Sequence, residues 1–143
     1  SYNDYMKDIV NNGNVIALHS YTHDYKTIYS SDEAFYQDLQ NISDLVYLQT
    51  GVRSNIMRFP GGGSNTVSKK YSPGIMTRLT QGVAERGYVY YDWNCSSGDA
   101  MKNTVPKETI VASCKKVRRQ VMLLYCFMIQ VQRIQPLMLC PKL

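Results

Sequence analysis

The sequence predicts an α/β protein in which strands alternate with helices around a largely parallel sheet. Three observations carry that expectation. Short apolar or β-prone runs alternate with longer segments of helical periodicity. Each segment rich in chemically useful side chains directly follows one of the strand-like runs, where the loops of parallel α/β folds gather. Of the 143 residues, 44% are hydrophobic and 19% charged, a balance that supports one packed domain and argues against a disordered or fibrous chain.

In chain order, Tyr5, Met6, Ile9 and Val10 recur at helical spacing over 2–12, and Asn11-Asn12-Gly13 supplies a stop. Asn14 to Leu18 (NVIAL) reads as a buried strand that ends directly at His19. Ser30-Ser31-Asp32-Glu33 opens a helix whose apolar face is Phe35, Leu39, Ile42, Leu45, Val46 and Leu48, closed by Gly51. Ser54 to Phe59 is the next strand, broken by Pro60 and three glycines. Pro73 to Arg86 reads as a helix with Ile75, Met76, Leu79 and Val83 inward and Gly87 after its end. Tyr88 to Trp93 is aromatic and β-prone, and Pro106 to about Arg119 is a further helix. The apolar run Val121 to Ile129 can take a strand position by hydrophobicity.

The net charge of +5 is a property of the tail. After Glu108 come Lys115, Lys116, Arg118, Arg119, Arg133 and Lys142 without an acid, whereas the preceding residues nearly balance. A nucleic-acid reader needs its positive charge on a structured face with aromatics or a recognition helix, so no nucleic-acid partner is expected. No run of 18 apolar residues exists, and no transmembrane segment is seen. Cys95 stands apart from Cys114, Cys126 and Cys140, and without a Cys-x-x-Cys pair neither a zinc ribbon nor a dithiol redox motif is supported.

The most informative segment is His19-Ser20-Tyr21-Thr22-His23. Its two histidines are the only 2 in the chain, and imidazoles four residues apart can reach one ion from a strand-to-loop corner. A catalytic zinc also needs a third protein ligand and an open position. Asp24 is adjacent, but the sequence does not set its direction. Taken singly, Arg58 reads as a solvated charge, Pro60-Gly61-Gly62-Gly63 as a turn and Trp93 as core.

Taken together and in order, these residues resemble the polysaccharide deacetylase family (the NodB-homology domain, carbohydrate esterase family 4). Ile16 to His23 is similar to its His-[Ser/Thr]-x-x-His motif, Arg58-Phe59-Pro60-Gly61-Gly62 to its arginine–proline motif, and Asp92-Trp93 to its aspartate–tryptophan motif. The resemblance covers residues 1–120 and implies an incomplete distorted (β/α) barrel whose first strand is missing. It implies that His19 and His23 ligate zinc or another divalent transition metal, with Ser20 or Thr22 steadying the loop. Arg58 and Asp92 would be the orienting catalytic residues, Asp92 toward a catalytic histidine. A backbone N–H just after Pro60, near Gly61, would be the second donor to the oxyanion, and Trp93 would wall the acetyl pocket. The implied partner is an N-acetylated cell-wall or chitin-like polysaccharide, hydrolysed outside the cytoplasm.

Two motifs of the family are not found in these 143 residues: the Asp-Asp pair carrying the base and third ligand, and the Leu-x-His carrying the acid. The expectation is therefore an impaired deacetylase, or a non-catalytic carbohydrate- or metal-binding remnant. The C-terminus carries a further signal. When the last base of each codon is joined to the next two, Tyr125 to Ile129 reads Leu-[Leu/Phe]-[His/Tyr]-Asp, which matches the missing Leu-x-His. A frameshift between about Val111 and Val121 is expected to account for a tail at 121–143 that is out of frame and free of acids. An incomplete barrel exposes strand edges, so non-specific self-association is expected too.

Overall fold

The computed structural model describes residues 2–93, 95–96, 105–116, 125–126 and 138–140. They fall into two compact units, Ser1–Tyr91 with Leu137–Leu143, and Asp92–Pro136. In the first unit the predicted opening helix is α1 (Tyr2–Asn11), with Met6 buried. Gly13, at φ 74°, turns the chain into β1 (Val15–Ala17). A short helix without a sequence signal of its own, α2 (Tyr25–Ile28), follows the histidine segment. Its N-cap is Asp24, whose carboxylate accepts the Lys26 N–H.

Helix α3 (Asp32–Thr50) forms as its caps dictate. The Ser31 hydroxyl accepts the Ala34 N–H, Asp32 and Glu33 place negative charge at the positive end of the dipole, and Gly51 closes the helix at φ 73°. Phe35, Leu39, Ile42 and Val46 are buried along one stripe. Leu48 is not on that stripe. It is 78% exposed, because two residues beyond Val46 is about 200° of helical rotation. Asp38, three residues after Phe35 and four before Ile42, is buried where the periodicity predicts a hydrophobe.

The chain continues through β2 (Ile56–Met57), a 3-10 turn at Val67–Lys70, α4 (Ile75–Glu85) and β3 (Val89–Tyr90). The fourth helix starts later than its proline suggests. Ser72 to Gly74 forms a turn closed by Ile75 N–H donating to Ser72 O, and Gly74 is the N-cap at φ 75°. Ile75, Leu79 and Val83 are fully buried, and Met76 is half-buried. Leu18, Ile28, Tyr29, Met57 and Phe59 complete the centre of the core. Each such side chain withdrawn from water contributes about 1.5–3 kcal/mol before entropy is counted.

The register of three adjacent chain segments positions the site. β2 and β3 are parallel, pairing Ile56 with Val89 and Met57 with Tyr90. Leu18 forms a parallel bridge to Met57, its N–H donating to Ile56 O and its carbonyl accepting the Arg58 N–H, each at 2.8 Å. Tyr91 N–H donates to Met57 O at 3.1 Å. His19, Arg58 and Tyr91 are thereby delivered to the same, C-terminal end of parallel strands. The other edge of β1 departs from the parallel expectation: it pairs antiparallel with β6 (Met138–Cys140), Ile16 opposite Leu139. An apolar strand satisfies an exposed ladder in either direction.

In the second unit, β4 (Cys95–Ser96) is parallel to β5 (Tyr125–Cys126), and α5 (Lys107–Lys116) contacts β4. The run Val121 to Ile129 therefore supplies a strand at its described residues. The rest of that run, most of the basic tail and the proposed frameshift junction beyond Lys116 lie outside the described residues. No described helix is long and apolar enough to cross a membrane.

Candidate metal centre

The segment after β1 is held by a buried carboxylate. Asp38 of α3 accepts four hydrogen bonds: Oδ2 from the Ser20 hydroxyl (2.6 Å) and Tyr21 N–H (2.9 Å), and Oδ1 from Thr22 N–H (2.9 Å) and the Thr22 hydroxyl (2.8 Å). Ser20 Oγ in turn accepts the N–H of His23 at 2.9 Å. The loop thus turns back on itself, and His23 takes φ 53°, the one positive φ outside glycine among the described residues. An L-residue there carries a cost of about 1–2 kcal/mol, offset by the surrounding bonds.

This turn brings the two histidines together. Their ring centroids lie 5.1 Å apart, tilted by 51°. Two imidazole nitrogens about 2.0–2.1 Å from one tetrahedral ion require ring centres about 5 Å apart, so the pair has the spacing of two ligands to a shared metal. His19 is 8% exposed, and its Nδ1 lies 3.1 Å from Arg58 O. A carbonyl oxygen only accepts, so Nδ1 carries the proton and Nε2 keeps a lone pair for a ligand. Burial lowers the pKa of His19 to about 4, with the charges of His23 and Arg58 adding to the effect against the hydrogen bond to the Arg58 carbonyl. The ring is therefore neutral near pH 7, the state a metal binds.

Arg58 has two roles in the geometry. Its carbonyl orients His19, and its Nε donates to Tyr91 O at 2.8 Å, tying the ends of β2 and β3 together. The Pro60 turn sits beside the pair. Tyr29 Oη donates to Pro60 O at 2.7 Å, Gly62 N–H donates to Phe59 O at 2.8 Å, and the Asn65 amide bonds Gly62 O at 2.8 Å. Gly61 and Gly62 have φ of 78° and 87°. A Cβ on Gly61 would lie 2.9 Å from Tyr25 Oη, and the Tyr25 ring meets His23 edge-on with centroids 5.7 Å apart. His19, His23, Arg58, Pro60 and Gly61 thus share one region. Asp92 and Trp93 are half-buried residues of the second unit.

Asp24 does not complete the metal set. Its carboxylate caps α2, hydrogen bonds from the Thr27 hydroxyl and the Lys26 N–H being among the causes that lower its pKa. Among the described residues no cluster of three or more His, Cys, Asp or Glu side chains is placed to hold a metal. The histidines could supply two of the three protein ligands a catalytic zinc uses. The sequence reading missed Asp38, Tyr25, Tyr29 and Asn65. Only Asp38 had a signal, an acid at a position the helical period assigns to the core.

The family model for polysaccharide deacetylase matches residues 1–73, more than half of the chain. The chain belongs to the polysaccharide deacetylase family. The deacetylase fold is confirmed by the catalytic domain of a peptidoglycan N-acetylglucosamine deacetylase from Eubacterium rectale, 41% identical with a TM-score of 0.82, covering 87% of this chain and 57% of that one. A polysaccharide deacetylase from Bacillus cereus shares the fold at 23% identity and a TM-score of 0.61, over 80% of this chain and 52% of that one. A candidate polysaccharide deacetylase of Bacillus subtilis (strain 168), YheN, is 24% identical over 87 residues, 61% of this chain and 28% of the relative. The chain thus spans little more than half the length of these solved domains and about a quarter of that curated relative.

Proposed function

We propose that this region is the metal-binding and carbonyl-binding side of a deacetylase acting on N-acetyl groups of a cell-wall or chitin-like glycan outside the cytoplasm. The observation that carries the reading is the convergence of His19 and His23, one ring neutral and fixed in tautomer by the Arg58 carbonyl, beside the Pro60–Gly61 turn. His19 and His23 would hold the ion, zinc by the chemistry of nitrogen donors, and the ion would act as a Lewis acid toward the acetamido carbonyl. The open backbone at Gly61 lets that carbonyl approach, and a main-chain N–H following Pro60 would donate to its oxygen as charge develops. Arg58 holds the strand ends in register and would orient a carboxylate base. Asp92 would orient an imidazolium acid, and Trp93 would pack on the acetyl methyl.

The 143 residues contain no Asp-Asp pair and no histidine after His23, so the family's sources of the base, the acid and the third ligand have no counterpart in the polypeptide tested by itself. Removing members of such a unit costs several orders of magnitude in rate. Zinc titration and an acetate-release assay on an acetylated chito-oligosaccharide test both parts. The expected result is zinc binding that His19→Ala and His23→Ala abolish, with turnover near background. Zinc binding indifferent to both histidines would remove the metal assignment, and full turnover would remove the impairment.

A further inference from the structure

We infer that Asp38 is the positioning residue that creates the metal pair, acting through Ser20 and the turn at His23. The inference rests on the metal reading above and deepens it. Asp38 is 7% exposed, and each of its carboxylate oxygens takes two donors, two of them backbone N–H and two hydroxyl. An ionised carboxylate is acceptor-only with about four lone-pair sites, so the match in number and direction is complete. An asparagine of the same shape keeps one acceptor oxygen and turns an NH2 toward two donors.

The bonds act in series. Because the Ser20 proton is committed to Asp38, its lone pair faces the N–H of His23 at 2.9 Å. The Thr22 hydroxyl is likewise committed to Asp38 at 2.8 Å. Three consecutive residues, 20 to 22, are thus clamped to one rigid helix, and His23 is left to enter the left-handed region at φ 53°. Without that conformation a ring four residues beyond His19 has no reason to lie 5.1 Å from it. Asp38 touches neither imidazole in any hydrogen bond, so its influence on a metal passes through backbone geometry. Groups that orient ligands in this way change metal affinity about 10–100-fold when altered.

The test uses the 143-residue chain with Asp38→Asn, Ser20→Ala and His23→Ala variants. Zinc is titrated while the imidazole NMR signals of the 2 histidines are followed, with urea unfolding and backbone amide exchange of the metal-free proteins recorded alongside. Asp38→Asn is expected to weaken zinc binding about 10–100-fold under conditions where it is fully folded. It is also expected to speed exchange of the His23 amide at least as much as its global unfolding allows. Ser20→Ala, which leaves Asp38 bonded to Tyr21 and Thr22, should show a smaller loss in the same direction. Zinc affinity within threefold of wild type in folded Asp38→Asn overturns the inference, even if stability falls. If Asp38→Asn does not fold, unchanged zinc affinity in Ser20→Ala overturns it. If the wild type binds no zinc, the metal reading fails on its own, and an unaltered His23 amide in the variants then overturns the role of Asp38 as well.

Discussion

Acidification should destabilise the metal-free protein through His19 in particular. Its folded-state pKa is lowered by burial from 6.5 to about 4. Above pH 6.5 neither folded nor unfolded chains carry the His19 proton, and the residue has no effect on pH dependence. Between 6.5 and about 4 the unfolded chain takes up the proton and the folded chain does not, so stability falls as the pH falls. The slope approaches about 1.4 kcal/mol per pH unit, and the full loss below the folded pKa is about 3 kcal/mol. Set against a total stability on the order of 5–15 kcal/mol, this is a large effect. Urea unfolding of chelator-treated wild type and His19→Gln at pH 7 and pH 4.5 isolates it, because every carboxylate titrates in both proteins. The wild type should lose about 2–3 kcal/mol more than the variant over that interval. Equal losses in the two proteins would refute the placement of a neutral, buried imidazole at this position.

The turn and the core beneath it give two further expectations. Gly61→Ala places a side chain at φ 78° with its Cβ 2.9 Å from Tyr25 Oη and 3.2 Å from Asn65 Cβ, so a loss of about 1–3 kcal/mol is expected by urea unfolding. Adding Tyr25→Phe should recover only the part due to the hydroxyl. Phe59 is fully buried, with ring centroids 5.3 Å from Phe35 and 5.1 Å from Tyr90, and Phe59→Ala should cost about 3–5 kcal/mol by the same measurement. That is a large share of a total stability of about 5–15 kcal/mol, and a loss under about 1 kcal/mol would contradict the packing.

What was legible in the residues is what depends on neighbours along the chain. The cap at Ser31 and the stop at Gly51 bound α3 by bonds within four residues, and Phe35, Leu39, Ile42 and Val46 keep the helical period. Two histidines four apart at the end of a strand, followed in order by Arg58 with the Pro60 glycines and by Asp92-Trp93, pointed to the family. Contacts between distant segments had no such trace. Asp38 reaches back 16 to 18 residues, the Arg58 carbonyl reaches His19 across 39, and Tyr29 reaches Pro60 across 31. Each depends on the register between strands and on the rotation of α3 over them, which set the direction of a side chain independently of its local pattern. Tertiary pairing likewise gives β1 an antiparallel partner, whereas Asp24 caps a helix through Lys26 and Thr27 and Leu48 turns to solvent by helical rotation, both local effects. The identity of the candidate metal-binding side chains is thus written locally. Their convergence on one point is set by hydrogen bonds that only packing brings within reach.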